Sequence, residues 1–287
     1  MDFRLKGPSA QTTLRGVPAD KPIDAFLDEI AEASGVARPC VQLLAGFPPK
    51  PLDLPQDGSA AISSLGLRSG ESIIVREVEP EGAKGVAVRR VIEADNSCLF
   101  NAIGYVRERS RSSAATLRKI VADRISADPE RYSEAFLAKS NEAYCEWILQ
   151  ASNWGGAIEL SVLAEHFQCE IAAYDISTMR RDLHGEGQGY KTRYMLIYDG
   201  IHYDALALAA DKNAPEDTDL TAFAVGPAAD LASIKAQAFV AEQHKQRQYT
   251  DTANFTLRCC VCQVGLKGEA DARAHANATG HTNFAEY

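Results

Sequence analysis

Cys259, Cys262, His275 and His281 constrain the fold of this chain more than any other feature. Two residues lie between the cysteines, twelve separate Cys262 from His275, and five separate the two histidines. That is the spacing of a two-cysteine, two-histidine zinc site, in which a tight thiolate knuckle and two imidazoles from a following helix meet at tetrahedral distances. A gap of five carries the second histidine off the helical face, so the helix must bend near Thr279-Gly280, where glycine permits it, to return His281 to the metal. Chance clustering or a redox C-x-x-C pair leaves two well-placed histidines unexplained, and Cys260 is the neighbour most able to replace a ligand. Arg258, Lys267 and Arg273 balance Glu269, Asp271 and Glu286, which disfavours DNA reading by this finger and favours docking to protein.

With 287 residues, 46% hydrophobic and 24% charged, the chain is long enough for two or three cores. It has no run of eighteen apolar residues, and Met1-Asp2-Phe3-Arg4 does not open a signal peptide, so neither membrane insertion nor secretion is expected. Seven cysteines, an odd number with three crowded at 259, 260 and 262, suit a reducing compartment better than a disulfide framework. The expected location is cytoplasmic, with the nucleus also open. A net charge of -9 argues against a general affinity for nucleic acid.

Residues 1–79 predict strands at Phe3–Leu5 and Thr13–Leu14, an amphipathic helix at Ile23–Ala33, and strands at Val41–Leu44 and Ser72–Val78. Pro22 suits the start of that helix and Gly35 its end, while Ile23, Phe26, Leu27 and Ile30 form one apolar stripe. A hairpin, one helix and a further strand pair is the ubiquitin-like β-grasp arrangement. Pro80–Gly85 reads as a linker. Residues 86–210 predict a compact α/β (α+β) domain: a strand at Arg89–Glu93, helices at Cys98–Tyr105, Ala114–Ser126, Ser140–Gln150 and Gly156–Phe167, and strands at Glu170–Tyr174, Arg193–Tyr198 and His202–Leu206. Met179–Tyr190 reads as a mobile surface loop. Residues 211–254 are an acidic exit followed by a helical arm at Ala228–Gln248, and 255–287 are the finger.

Cys98 follows Asp95, Asn96 and Ser97, three residues of N-capping type, so it stands at a helix start where free N–H groups favour a thiolate and can hold an oxyanion. About a hundred residues on, His202 and Asp204 are two apart in a strand and share one face, so the acid can orient the imidazole. On spacing alone, a buried structural cysteine and a half-exposed histidine remain the favoured explanation.

The surrounding residues change that balance. Asp-Asn-Ser-Cys-Leu-Phe-Asn at 95–101, Asn-Trp-Gly-Gly at 153–156 and Gly-Ile-His-Tyr-Asp at 200–204, in this order, resemble the OTU family of deubiquitinases. A UBX-like head, this core and a terminal finger ending Gly-His-Thr-Asn-Phe resemble the Yod-type ubiquitin thioesterases within it. The resemblance implies a papain-like cysteine protease core with Cys98 as nucleophile, His202 as general base, Asp204 as orienting acid and Asp95 in the oxyanion loop. It implies polyubiquitin as substrate, cleaved at isopeptide bonds, with zinc structural and no cofactor for catalysis. Heads of this kind resemble modules that dock on the valosin-containing AAA ATPase through a Phe-Pro loop, matched here by Phe47 and Pro48. Pro49 stands where typical loops carry an arginine, which removes a bidentate contact. A hydrophobic turn closing the sheet is the other reading of those two residues. The process implied is turnover of unfolded proteins extracted from the endoplasmic reticulum.

Cys40, Cys145 and Cys169 read as small core residues, Trp154 as part of a tight helix-entry turn, His166 and His184 as surface or loop positions, and Tyr203 as packing on the face opposite His202. The rival to an enzyme is a non-catalytic adaptor bridging ubiquitin chains to the ATPase, although no member of the triad is missing.

Overall fold

The first unit is built on the apolar stripe of its helix. In a computed structural model that describes residues 1–8, 10–55, 57–251, 256–281 and 284–286, the chain forms two units, Met1–Lys84 with Gly226–Leu231, and Gly85–Val225 with Ala232–Tyr287. In the first, strands β1 (Phe3–Lys6) and β2 (Gln11–Leu14) precede helix α1 (Ile23–Ser34), followed by β3 (Val41–Ala45), β4 (Lys50–Pro51) and β5 (Ser72–Glu77). The sheet order is β2-β1-β5-β3-β4, with β1 and β5 parallel. Ile23, Phe26, Leu27 and Ile30 are buried as the stripe requires, and the Phe26 ring lies 5.4 Å from that of Phe3. Each such buried side chain contributes roughly 1.5–3 kcal/mol of transfer free energy.

The second unit opens with β6 (Val86–Arg90) and continues through α2 (Cys98–Glu108), α3 (Ala114–Ala127), α4 (Glu134–Leu137), α5 (Asn141–Leu149) and α6 (Ala157–Phe167). Then come β7 (Glu170–Asp175), β8 (Arg181–His184), β9 (Thr192–Tyr198), β10 (Tyr203–Ala209), β11 (Phe223–Ala224) and, from Ala232, the greater part of α7 (Pro227–Lys245), whose first residues are counted with the first unit. The strands run β6-β10-β9-β7-β8, with β11 on β9 and only the β7–β9 pair parallel among them. Helix α2 is buried from Cys98 to Val106, the polar Asn101 included, and only its last residues, Arg107 and Glu108, leave the core.

Four expectations shift. The strand predicted at Arg89–Glu93 lies earlier, because the Ile92 N–H leaves the ladder to bond the Asp204 carboxylate at 2.6 Å. Met179–Tyr190 is not wholly loop, since Arg181–His184 pairs antiparallel with β7. The acidic stretch after 210 folds back: Asp219 is buried, receives both Nε and Nη2 of Arg90 at 2.7 Å, and accepts the Tyr105 hydroxyl at 3.0 Å. From Ala232 onward α7 is a packed helix, with Ala236 and Val240 buried, Ser233 Oγ 3.2 Å from Arg193 Nη1 and His244 Nδ1 2.8 Å from the Ile176 carbonyl.

The C-terminal finger has β12 (Thr256–Cys259) between β13 (Gly265–Lys267) and β14 (Phe284–Glu286), with helix α8 (Gly268–Thr279). Among the described residues, no helix is long and apolar enough to cross a membrane.

Candidate active site and metal cluster

Cys98 is the first residue of α2 and is only 9% exposed. The three N-capping residues before it are used otherwise than the sequence suggests. Ser97 occupies the cap without a side-chain bond to the helix, and its hydroxyl accepts from Arg118 Nη2 at 3.1 Å, while Asp95 Oδ1 accepts the Ser97 N–H at 2.8 Å. The Tyr203 N–H donates to Cys98 Sγ at 3.5 Å, which brings the sulfur to the start of β10. Burial raises the Cys98 thiol above the ordinary value, the N–H groups of Tyr203 and Leu99 oppose it, and the charges of Asp95 and Asp204 reinforce it. Desolvation here opposes the N–H groups that the helix start offers the sulfur.

His202 is the last residue of the turn joining β9 to β10 rather than the first residue of a strand. Asp199 Oδ1 holds that turn by accepting the N–H groups of His202 at 2.9 Å and Ile201 at 3.2 Å. Gly200 within it has φ of +108°, and a Cβ there would stand 2.6 Å from the Thr250 carbonyl oxygen, so only glycine fits. The expected pairing of His202 with Asp204 is present, Nε2 to Oδ1 at 3.1 Å. Asp204 has no exposed surface, and besides the imidazole it accepts the Ile92 N–H and Nε of Arg89. Arg89 Nη2 also reaches Asp199 Oδ2 at 3.3 Å. Tyr203 stacks on Tyr198 with ring centroids 4.5 Å apart, and burial pushes its phenol far above the usual range.

A cleft of about 600 Å³ opens beside these groups, lined by Asp95, Asn96, Trp154, Ile201, His202 and Asp204 among others. Trp154 is more than a helix-entry turn: it is 55% exposed, and its Nε1 donates to Asn96 Oδ1 at 2.6 Å, pinning the loop before Cys98. Arg118, 2% exposed, pins the same loop from inside through the carbonyls of Asn96 at 2.9 Å, Asn153 at 2.7 Å and Ile148 at 2.9 Å. Sequence reasoning missed Arg89, Asp199 and Arg118, because each reads as an ordinary surface charge until its partners, distant along the chain, are known. Glu159 was missed too: its carboxylate takes the Gly156 N–H and the Tyr144 hydroxyl, each at 2.6 Å, and burial holds its pKa above the usual carboxylate range.

In the first unit, Phe47 and Pro48 lie in the turn between β3 and β4, where Phe47 is fully exposed.

In the finger, Cys259, Cys262, His275 and His281 offer one ligand atom each within 4.8 Å of one another, with Cys262 Sγ 3.4 Å from His275 Nε2. Helix α8 ends at Thr279 and Gly280 takes φ of 76°, which is the bend that brings His281 to the others. Desolvation opposes ionisation of Cys259, but the N–H groups of Cys262 and Val261 and the Cys262 thiol hold its pKa below the ordinary thiol value. Two thiols and two imidazoles at this separation fit a tetrahedral zinc ion. Cys260 is exposed and stands outside the cluster.

Three family models match separate stretches of the chain. The profile of OTU-like cysteine proteases matches residues 93–204, that of the OTU1 UBXL domain residues 1–52, and that of the C-terminal C2H2-type zinc finger of ubiquitin thioesterase OTU1 residues 253–287. Ubiquitin thioesterase OTU1 of Gallus gallus is 41% identical over 99% of both chains. The chain belongs to the ubiquitin thioesterase OTU1 family. The OTU1 of Homo sapiens is 39% identical, covering 99% of this chain and 86% of its own, and the ovarian tumor domain-containing deubiquitinating enzyme 2 of Arabidopsis thaliana is 55% identical over 71% of this chain and 99% of its own. A solved OTU domain in complex with ubiquitin shares the fold, with a TM-score of 0.52 at 24% identity over 60% of this chain and 99% of that one.

Proposed function

We propose that this cysteine-type deubiquitinase of the OTU1 family hydrolyses isopeptide bonds of polyubiquitin, with Cys98 as nucleophile, His202 as general base and Asp204 as orienting acid. The observation that carries the assignment is a pair of contacts. Asp204 takes Nε2 of His202, while the next residue, Tyr203, places its N–H on Cys98 Sγ. With the Nε2 proton given to Asp204, Nδ1 is the nitrogen free to accept a proton.

In the first half-reaction the thiol proton passes to His202 and the sulfur attacks the carbonyl of the C-terminal glycine of ubiquitin. Within the Asp95–Cys98 loop the N–H groups of Asp95, Ser97 and Cys98 donate to the Glu93 carbonyl, Asp95 Oδ1 and the Asp95 carbonyl, so the Asn96 N–H is the loop donor left to meet the oxyanion. The intermediate collapses as His202 returns the proton to the departing lysine amine, leaving a thioester. Water, deprotonated by His202, then releases the ubiquitin carboxylate and restores the thiol. The test is turnover of diubiquitin by the full chain: cleavage that disappears in Cys98→Ser while ubiquitin binding persists supports the reading, and equal cleavage by the variant rejects it.

The finger would hold zinc through Cys259, Cys262, His275 and His281, a structural role that fixes the strand–helix packing of a segment too small for a large apolar core. The fully exposed Phe47 supports the further reading that the head docks on a protein partner, the valosin-containing AAA ATPase, with Pro49 weakening the contact. On this reading the process is turnover of unfolded proteins from the endoplasmic reticulum and the location is cytoplasmic. Seven free cysteines support a reducing compartment. Pull-down of the ATPase by the wild-type chain and its loss in Phe47→Ser check the docking.

A further inference from the structure

Arg89 enters the site from β6, one strand away from the histidine it serves. Its Nε donates to Asp204 Oδ2 and its Nη2 reaches Asp199 Oδ2 at 3.3 Å. The two carboxylates do different work on the same residue. Asp204 Oδ1 faces the His202 ring at 3.1 Å, and Asp199 Oδ1 accepts the His202 backbone N–H at 2.9 Å. One planar guanidinium therefore fixes the ring of His202 through one acid and its main chain through another. We propose that Arg89 is a positioning residue for His202, acting through Asp204 and Asp199 together. The inference rests on the catalytic reading of His202 for its effect on turnover, and on geometry alone for its effect on the ring.

A lysine could not do the same. Its ammonium is a point charge, whereas the fork of arginine presents separate N–H groups in fixed directions to two acids. Asp204 has no exposed surface, so removing its cationic partner leaves a buried carboxylate with only the Ile92 N–H and the imidazole.

The test uses the full chain carrying 15N-labelled histidine, with the His202 signal assigned by its loss in His202→Asn. Arg89→Gln should weaken the fixed tautomer of His202, while the other histidines are unmoved. Arg89→Lys should recover that tautomer only in part, and Asp199→Asn should disturb it as well. In turnover of a ubiquitin C-terminal fluorogenic amide, Arg89→Gln should lower kcat about 10- to 100-fold, in the range of lost outer-shell partners, with KM nearly unchanged. A folded Arg89→Gln protein whose His202 tautomer matches wild type overturns the proposal, whatever the turnover. Absence of turnover in wild type, with the ring effects present, would instead count against the function and leave the positioning role standing.

Discussion

His202 Nε2 stands 3.1 Å from Asp204 Oδ1, two residues further along the chain, and the carboxylate it meets has no exposed surface. This short-range pairing forces the acid, the base and the Tyr203 N–H that touches Cys98 onto one point of the fold. Asp204→Asn replaces an acceptor with a group that can donate, so it misorients the imidazole. It should lower kcat by about 10²- to 10⁴-fold, as expected when the orienting acid of a triad is changed to an amide. Steady-state kinetics on a fluorogenic ubiquitin amide checks this.

The buried state of Cys98 predicts its reactivity. Burial raises its thiol pKa, so alkylation should keep accelerating as pH climbs past the ordinary thiol value of about 8.5. Mass spectrometry of iodoacetamide adducts at Cys98 across pH measures it. A rate already at its plateau near neutrality would show that the helix-start N–H groups prevail over desolvation.

Trp154 gives a separate handle on the loop. Trp154→Phe keeps the ring but removes the Nε1 donor to Asn96. Loss of one such bond costs about 1 kcal/mol, a roughly fivefold fall in kcat/KM, with Tm nearly unchanged because the side chain is half exposed. Kinetics and a melting curve on the same sample separate the two effects.

Arg118 should behave in the opposite way. Arg118→Met leaves the carbonyls of Asn96, Ile148 and Asn153 without their donor in a buried setting, and the expected loss is about 2–4 kcal/mol of stability. Urea denaturation monitored by fluorescence gives the value.

Zinc removal should affect the finger alone. Chelation, or Cys262→Ser, should abolish bound zinc and unfold the segment around α8. Hydrolysis of a fluorogenic ubiquitin amide should persist, since the cluster and the Cys98 site share no residue. Metal analysis with an activity assay on the treated protein tests both parts.

The features legible in the sequence were those fixed by local rules. Helix α1 follows from its apolar stripe, the αL turn at Gly280 from the spacing of His275 and His281, and the same-face relation of His202 and Asp204 from their separation of two. What escaped depends on partners far along the chain. Arg89 meets Asp204 across 115 residues and Arg118 meets Asn153 across 35, and neither pairing leaves a periodic trace. The desolvation of Cys98 is hidden for a related reason: a helix start is visible in sequence, but the burial that opposes it is set by the packing around α2 from Cys98 to Val106. β8 was hidden because Arg181–His184 is half-buried and polar, so its pairing with β7 carries no hydrophobic alternation.

Reaction of the reduced full chain with ubiquitin bearing a C-terminal electrophile addresses the central claim most directly. The account predicts a single covalent adduct mapped to Cys98, absent in Cys98→Ser and much slower in His202→Asn. A folded wild-type protein that forms no adduct, or forms it at another cysteine, would contradict the account.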